Sequence, residues 1–326
     1  MSPAASTAIS RVLRQWETFW FRDVPPHSYA ILRILFGVLG FISVLGMTPV
    51  DQFWTPEGLF AMPPSGLGLK AQILDRGLGG VVGWAFFLGL LLSFAALALG
   101  YLTGLAILLC FVGSVFQPFW NRLPLSSAHH VVVVVLFCLV WVDCGRIWSI
   151  DAWRARRTRI APLVAPATEP IWPLRLICFQ VALIYFNSGL WKLNGQLWRD
   201  GSAVHYASAL NVFHRFPLEV PAASDWPMTI GTYVTLAWEI GFPLLLLHRW
   251  TRRLALVIGV LLHAGMAATL ELGPFSGIMI ASYVAFLQPE AMARISTGWS
   301  RRVGRWRGQA APAGAAATAA TGRPAP

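Results

Sequence analysis

A lysine near the end of an apolar segment is the residue in this sequence best suited to chemistry. Lys192 closes the run Tyr185-Phe-Asn-Ser-Gly-Leu-Trp-Lys192, and Tyr185 lies seven positions earlier, on the same face of a helix. Two of the 25 basic residues are lysines. Unlike arginine, a lysine can lose its proton when desolvated and then act as a base. The alternative interpretation is a lysine that extends from a helix end toward water.

Other titratable residues occupy apolar segments as well. His129 and His130 open one such segment, His263 lies within another, and Glu239 lies in Trp-Glu-Ile-Gly-Phe-Pro. Convergence of titratable groups is what a catalytic or ligand pocket requires. Protonation of Glu239, or its pairing with Arg33 or a histidine, would lower the cost of placing it in a membrane segment. Both a structural tie between helices and a proton-handling role stay open for it. The adjacent histidines have no third ligand at helical spacing, so we expect no metal.

The composition shows what must position these residues. Hydrophobic residues make up 56% of the 326 residues, charged residues make up 12%, and mean hydropathy is +0.60. A soluble domain has about 25% charged residues. These values exclude a secreted disulfide scaffold, a disordered chain and an ordinary cytosolic enzyme. They predict an all-α integral membrane protein, because helices satisfy their own backbone hydrogen bonds in lipid.

Eight apolar segments are candidates to cross the membrane, which takes roughly 20 residues each. They span residues 28–46, 79–99, 101–117, 129–142, 173–193, 228–248, 254–271 and 275–288. The sequence thus predicts a polytopic bundle of about eight transmembrane helices.

The basic residues between these segments indicate an orientation. One set of alternate loops, with the two ends of the sequence, holds 17 of them, and the other set holds 5. Since basic loops stay in the cytoplasm, both termini are predicted to be cytoplasmic, in a bacterial-type plasma membrane. Lys192, His129, His130 and Glu271 then lie toward the outer face, with His263 about two turns deeper. We therefore expect the excess basic residues to contact the lipid bilayer and not to bind nucleic acid.

The remaining segments flank one membrane domain, which covers residues 28–290. Residues 1–27 alternate aromatic and arginine residues, which is typical of a helix that lies on the membrane surface. Residues 291–326 form a basic tail whose Ala/Pro-rich part, after about Gly308, is expected to be disordered.

Three ordered stretches resemble the HTTM family, the "horizontally transferred transmembrane" domain. They are YFNSGLWKLNGQLWRDGSAVHY, HHVVVVVLFCLVWVDCGRIWSID and LLHAGMAATLELGPFSGIMIASYVAF. The resemblance runs from about residue 25 to 290. The HTTM domain is similar to the membrane part of vitamin K-dependent gamma-carboxylase.

The resemblance implies a chemistry. In the carboxylase a lysine acts on reduced vitamin K, an oxygenated intermediate removes a proton from glutamate, and the carbanion takes up CO2. Lys192 matches that lysine and would be the base, with His263 and His129 or His130 orienting the intermediate. Tyr185, Trp191 and Glu239 are the candidate cofactor-binding residues. The implied cofactors are a reduced quinone, O2 and CO2, and the substrate would be an unknown protein or peptide.

The departures from the carboxylase leave another function open. The carboxylase continues into a large extramembrane domain, whereas this sequence ends in a short tail, and Trp191 stands where the carboxylase has a second lysine. The alternative is a non-catalytic membrane partner, such as an export, immunity or assembly factor. A transporter is favoured less, because we find no internal repeat.

Overall fold

The computed structural model describes residues 3–56, 58, 72–74, 76–121, 128–158, 168–210, 215 and 226–306. Within these ranges the chain is almost entirely helical. The first half comprises α1 (Pro3–Phe21), β1 (Asp23–Val24), α2 (His27–Leu45), α3 (Val50–Phe53), α4 (Gly79–Leu99), α5 (Thr103–Trp120), α6 (Ala128–Val140) and α7 (Ile150–Arg157). The second half comprises β2 (Glu169–Pro170), α8 (Trp172–Leu193), α9 (Gln196–Arg199), α10 (Ala203–Ala209), α11 (Trp226–Leu245), α12 (Arg249–Thr269), α13 (Phe275–Ser282), a 3-10 turn (Tyr283–Phe286) and α14 (Pro289–Trp306).

Each of the eight predicted apolar segments contains a helix, and the boundaries agree within a few residues. The predicted break between the second and third segments is confirmed, because Gly100 adopts the left-handed conformation with φ of 67° and ends α4. The largest differences are the end of α13, at Ser282 and not at 288, where a 3-10 turn continues the segment, and the start of α12, at Arg249 and not at 254. Its first turn is capped by His248, whose side chain accepts a hydrogen bond from the Trp250 backbone N–H at 3.4 Å.

The membrane character of the fold is evident in the lengths and surfaces of these helices. Five of the described helices are long and apolar enough to cross a bilayer: α2, α4, α5, α8 and α12. Two further apolar stretches, Ala128–Val140 and Phe275–Phe286, are shorter. The helices also expose large side chains such as Val81 (70%), Leu92 (67%) and Leu244 (71%), a surface suited to lipid. The all-α membrane fold is therefore supported, and the total of eight spans stays a prediction.

The N-terminal segment is tied to the bundle by polar contacts. The structure confirms a helix there, α1, and β1 pairs with β2 in antiparallel register, Asp23 opposite Pro170 and Val24 opposite Glu169. The sequence had not predicted this short ladder. Arg22 donates to Glu290 at 2.6 Å, which joins the end of α1 to α14. The tail predicted to be disordered lies outside the described residues from 307 onward, and residues 291–306 belong to α14.

Two helix pairs organise the bundle around the candidate site. The helix α2 packs along α4, and α8 packs along α11. A glycine permits the second contact: a Cβ atom at Gly189 would lie 3.1 Å from the Ile240 backbone nitrogen and 3.2 Å from the Glu239 Cβ. Small residues at such a position let helix backbones approach closely in membranes. The 3-10 turn also packs against α8.

Candidate functional site

The best candidate site lies on the last two turns of α8. Tyr185 and Lys192 project from one face of this helix, as their spacing predicted. Opposite them the bundle presents Glu239 from α11, His263 from α12 and Tyr283 from the 3-10 turn. We call these five residues the polar cluster. It brings together residues from four elements that are distant in the sequence.

An ion pair forms the first half of the polar cluster. Lys192 Nζ donates a hydrogen bond to Glu239 Oε1. The Lys192 side chain is 23% exposed and the Glu239 side chain is 10% exposed. The predicted pairing of Glu239 with Arg33 or a histidine is therefore wrong. The close approach at Gly189, one turn before the lysine, is what places α11 within reach.

An aromatic ring covers the lysine, but it is not the ring that the sequence suggested. Lys192 Nζ lies 4.7 Å from the centroid of the Trp198 ring, in the geometry of a cation–π contact. Trp191, which we had taken as a candidate for the cofactor site, is 70% exposed on the outside of α8. Because consecutive helical residues point about 100° apart, Trp191 cannot share the face of Lys192.

A chain of hydrogen bonds between rings forms the second half of the polar cluster. The Tyr185 hydroxyl lies 2.7 Å from His263 Nε2 and 2.6 Å from the Tyr283 hydroxyl. All three side chains are buried, with His263 only 3% exposed. The Tyr185 ring packs against Trp238, at a centroid separation of 4.6 Å. This packing fixes the position of the hydroxyl.

Two buried atoms of the polar cluster have unused hydrogen-bonding capacity. Glu239 Oε2 and His263 Nδ1 make no hydrogen bond within the described part of the chain. Tyr185 has one proton, so it can donate in only one of its two contacts. If it donates to His263, Nδ1 carries the imidazole proton; if it donates to Tyr283, Nδ1 is left as an acceptor. In either case a buried polar atom is available to a ligand, and leaving it unpaired is costly.

The two halves of the polar cluster are joined through α8, which carries Tyr185 in the ring chain and Lys192 in the ion pair on one face. Hydrogen-bonded titratable groups in such an arrangement are suitable for holding and moving protons.

An apolar groove of about 350 Å³ lies beside the polar cluster and shares one residue with it, Tyr283. The other lining residues are aliphatic and come from α12, α13 and the turns beside them: Leu256, Val257, Val260, Leu261, Ile280, Val284 and Leu287. Such a surface is suited to an apolar molecule.

The two histidines that open α6 make different contacts. His129 Nε2 donates a hydrogen bond to the Ser114 carbonyl of α5 at 2.9 Å. The rings of His129 and His130 are in contact, with their centroids 6.2 Å apart. His129 lines a separate cavity of about 300 Å³ with Gln117 and Met47, and His130 is exposed. Glu271 is exposed as well. The contacts that bring Lys192, Glu239, Tyr185 and His263 together therefore do not extend to these three residues, whose roles stay predictions.

Trp198 and Tyr283 both lie within the stretches that resemble the family. Sequence reasoning missed Tyr283, and it named Trp198 only as the first residue of a loop that could cover a pocket near Lys192. Trp198 lies six residues beyond Lys192, past the end of α8, so helical spacing could not place it. Tyr283 follows α13 in a 3-10 turn, where helical periodicity changes.

Arg33 lies at the other end of the bundle and forms a purely structural contact. It is fully buried in α2 and donates only to backbone carbonyls. These are Leu97 at 2.8 Å, Ala98 at 3.0 Å, Cys144 at 3.1 Å and Trp148 at 2.6 Å. We call this contact the arginine node. Arg33 here donates to two carbonyls at the C-terminal end of α4, of which that of Leu97 also accepts the Gly100 backbone N–H at 3.1 Å.

Comparison with known proteins agrees with the resemblance seen in the sequence. The HTTM domain matches residues 21–290, which is most of the chain and includes the whole polar cluster. This chain belongs to the HTTM family.

Two relatives in Bacillus subtilis (strain 168) match parts of this HTTM chain. "Uncharacterized protein YitO" is 35% identical over 120 residues, which is 35% of this chain and 38% of that protein. "Sporulation-delaying protein SdpB" is 26% identical over 131 residues, which is 39% of this chain and 40% of that protein. The matches thus span about two fifths of each relative. No solved structure matches the chain.

Proposed function

We propose that this HTTM-family protein is a membrane enzyme that uses a reduced quinone and O2, with Lys192 as its base. The observation that carries the proposal is the polar cluster, a group of buried titratable residues with two unused hydrogen-bonding atoms. Ionisable residues inside membrane proteins are costly and by default mark a functional site.

The residues fit a reduced quinone. Glu239 Oε2 can accept a hydrogen bond from a quinol hydroxyl, and His263 Nδ1 can pair with an oxygen or a hydroxyl. The aliphatic groove that includes Tyr283 is suited to an apolar tail. When bound, the reduced quinone would react with O2, and this reaction would provide the strong base that a carboxylase-like activity needs. The products expected from the family resemblance are a substrate carboxylated with CO2 and a quinone epoxide.

The role of the chain's own residues is to hold and move one proton. For Lys192 to act as a base, its ammonium must first lose a proton, and Glu239 Oε1 is the hydrogen-bonded acceptor. Transfer to Glu239 leaves a neutral amine and a neutral carboxylic acid. Lys192 Nζ can then accept the proton of a substrate hydroxyl, while the Tyr185–His263 contact keeps the imidazole in place.

The first experiment is a turnover assay on the purified protein in liposomes. Reduced vitamin K and a panel of other quinols are added, and oxygen uptake and quinone epoxide are followed. We expect epoxide from the wild type and none from Lys192→Ala. Arg199→Ala is the matched control, since it removes an exposed cation from the neighbouring α9. Equal epoxide formation in wild type and Lys192→Ala would refute the role of Lys192, and the absence of turnover with every quinol would favour the alternative below.

The alternative function is that of a non-catalytic membrane partner, such as an export, immunity or assembly factor. One observation favours it: Lys192 and Glu239 neutralise each other, as a tie between α8 and α11 would require. On this alternative, substitution of either residue lowers the amount of folded protein. Loss of function in variants of normal abundance would count against it.

A further inference from the structure

A second charged region lies at the opposite end of α8 from the polar cluster. In α1 and just after it, five polar residues recur at the spacing of one helix face: Arg11, Arg14, Gln15, Thr18 and Arg22. The opposite face of α1 is apolar and exposed, with Val12 at 63%, Leu13 at 56% and Trp16 at 60%. The segment is therefore amphipathic, and one edge is strongly basic.

This basic face borders a groove of about 410 Å³ between α1 and the first turn of α8. Arg175 of α8 completes the lining, so that four guanidinium groups surround one space. The groove is lined by no acidic residue in the described part of the chain. We call it the arginine groove.

Among the described residues, one of the four arginines of this groove forms an ion pair and the other three do not. Arg22 is bound to Glu290 at 2.6 Å. Among the described residues, no ion pair neutralises Arg11, Arg14 or Arg175. The face of the Arg175 guanidinium lies 4.3 Å from the Phe19 ring centroid, and its Nε is buried with no hydrogen-bond partner in the described chain.

Such an arrangement needs an anion. Like charges gathered around one space repel each other, and a buried guanidinium N–H without an acceptor is unfavourable. Arginine binds phosphate through two parallel N–H···O bonds, so that several arginines can share one phosphate group. The unpaired Arg175 Nε is thus an observation, independent of the charge count, that points to an oxyanion ligand.

We propose that the arginine groove binds the phosphate headgroup of an anionic phospholipid. The groove adjoins the start of a membrane-crossing helix, α8, and the exposed apolar face of α1 is suited to the acyl region beside the headgroup. Basic pockets between membrane helices are known sites for anionic headgroups, and each nearby basic residue strengthens such binding. The lipid would fasten α1 to the bundle. This site is independent of the quinone proposal.

The test compares two variants of equal net charge. Arg11→Gln/Arg14→Gln removes two exposed cations from the groove, and Arg249→Gln/Arg253→Gln removes two exposed cations from α12. The full chain in a neutral detergent is titrated with phosphatidylglycerol, phosphatidylcholine or inorganic phosphate. Binding is measured by native mass spectrometry and by the change in Tm.

We expect phosphatidylglycerol to bind the wild type and to raise its Tm, while phosphatidylcholine does not. At roughly fivefold per basic residue, the groove variant should bind phosphatidylglycerol about 20- to 30-fold more weakly, and the α12 variant should match the wild type. Arg175→Lys, which keeps the charge, should also weaken binding because it loses the bidentate donors.

Three results would overturn the proposal. The first is equal weakening in the two double variants, which would show attraction by net charge alone. The second is equal binding of phosphatidylcholine. The third is a Tm increase with inorganic phosphate at the same concentration as large as that with the lipid, which would assign the groove to a free anion.

Discussion

Arg33 and Lys192 are both basic residues within apolar helices, yet the fold treats them in opposite ways. Arg33 donates to four backbone carbonyls, so four of its five guanidinium N–H groups are hydrogen-bonded in the arginine node. Lys192 pairs with a carboxylate whose second oxygen is unpaired, close to a histidine with a free ring nitrogen. The comparison teaches that burial of a charge does not by itself identify a site. Unused hydrogen-bonding capacity around the charge is the feature that separates a ligand site from a structural contact.

The largest expected effect is the loss of the arginine node. Arg33→Met removes a donor from four carbonyls, of which only that of Leu97 keeps another, the Gly100 N–H, among the described residues, and we expect it to cost at least about 3 kcal/mol of stability. Arg33→Lys should fail to restore it, because one ammonium cannot reach carbonyls of two separate segments. The measurement is the Tm and the monodisperse yield in detergent. A wild-type Tm in Arg33→Lys would show that only the charge matters.

A smaller effect is expected when the ion pair of the polar cluster is broken. Lys192→Met leaves Glu239 unpaired, but partial exposure of the lysine limits the cost to about 1–2 kcal/mol. The double variant Lys192→Met/Glu239→Leu should recover most of this stability, since no charge is left unpaired. A turnover assay then separates the enzyme from the non-catalytic membrane partner. A stable double variant without turnover supports the enzyme. A double variant that keeps its cellular function shows that the ion pair only holds α8 to α11.

A pH-dependent effect is expected at the end of the bundle that holds the arginine node. Asp151 of α7 accepts hydrogen bonds from the backbone of Leu102 and Thr103 at 3.0 and 2.7 Å and so caps α5. Burial raises the pKa of Asp151, but these hydrogen bonds and that of the Thr103 hydroxyl outweigh it, and the pKa lies below its ordinary value.

The direction of this pH dependence follows from the lowered pKa. The cap stabilises the fold fully above the unfolded-state pKa of about 4, and the stabilisation is lost as the pH falls through the lower folded-state value. Asp151→Asn should therefore be less stable than the wild type at pH 7, and the difference should shrink at acidic pH. Unfolding curves at several pH values test this, and a difference that is constant with pH would contradict it.

The smallest effect concerns the ring over Lys192. Trp198→Leu removes a cation–π contact, for which we expect about 0.5–1 kcal/mol and a lower turnover. Trp191→Leu is the matched control, because that ring lies exposed on the outside of α8. Melting curves of the two variants, measured in parallel, check the assignment. An equal loss in both would mean that the Trp198 contact has no special role.

The sequence allowed much of the fold to be predicted. Apolar length and helical spacing located the helices and placed Tyr185 and Lys192 on one face, because both properties are local to a segment. The partner of Glu239 could not be predicted, since Lys192 and Arg33 both lay within apolar segments and only the packing of α8 on α11 decides between them. The ladder of β1 with β2 was missed for a different reason, because strands of two residues carry no periodic pattern in the sequence.

The central claim is that Lys192 acts as a base and is more than a tie between helices. The most direct test is Lys192→Arg in liposomes with a quinol that supports wild-type turnover, with epoxide formation and folded yield measured on the same sample. Arginine keeps the charge that pairs with Glu239 but cannot give up its proton. We predict a wild-type yield with no epoxide. Retained epoxide formation in Lys192→Arg would contradict the account.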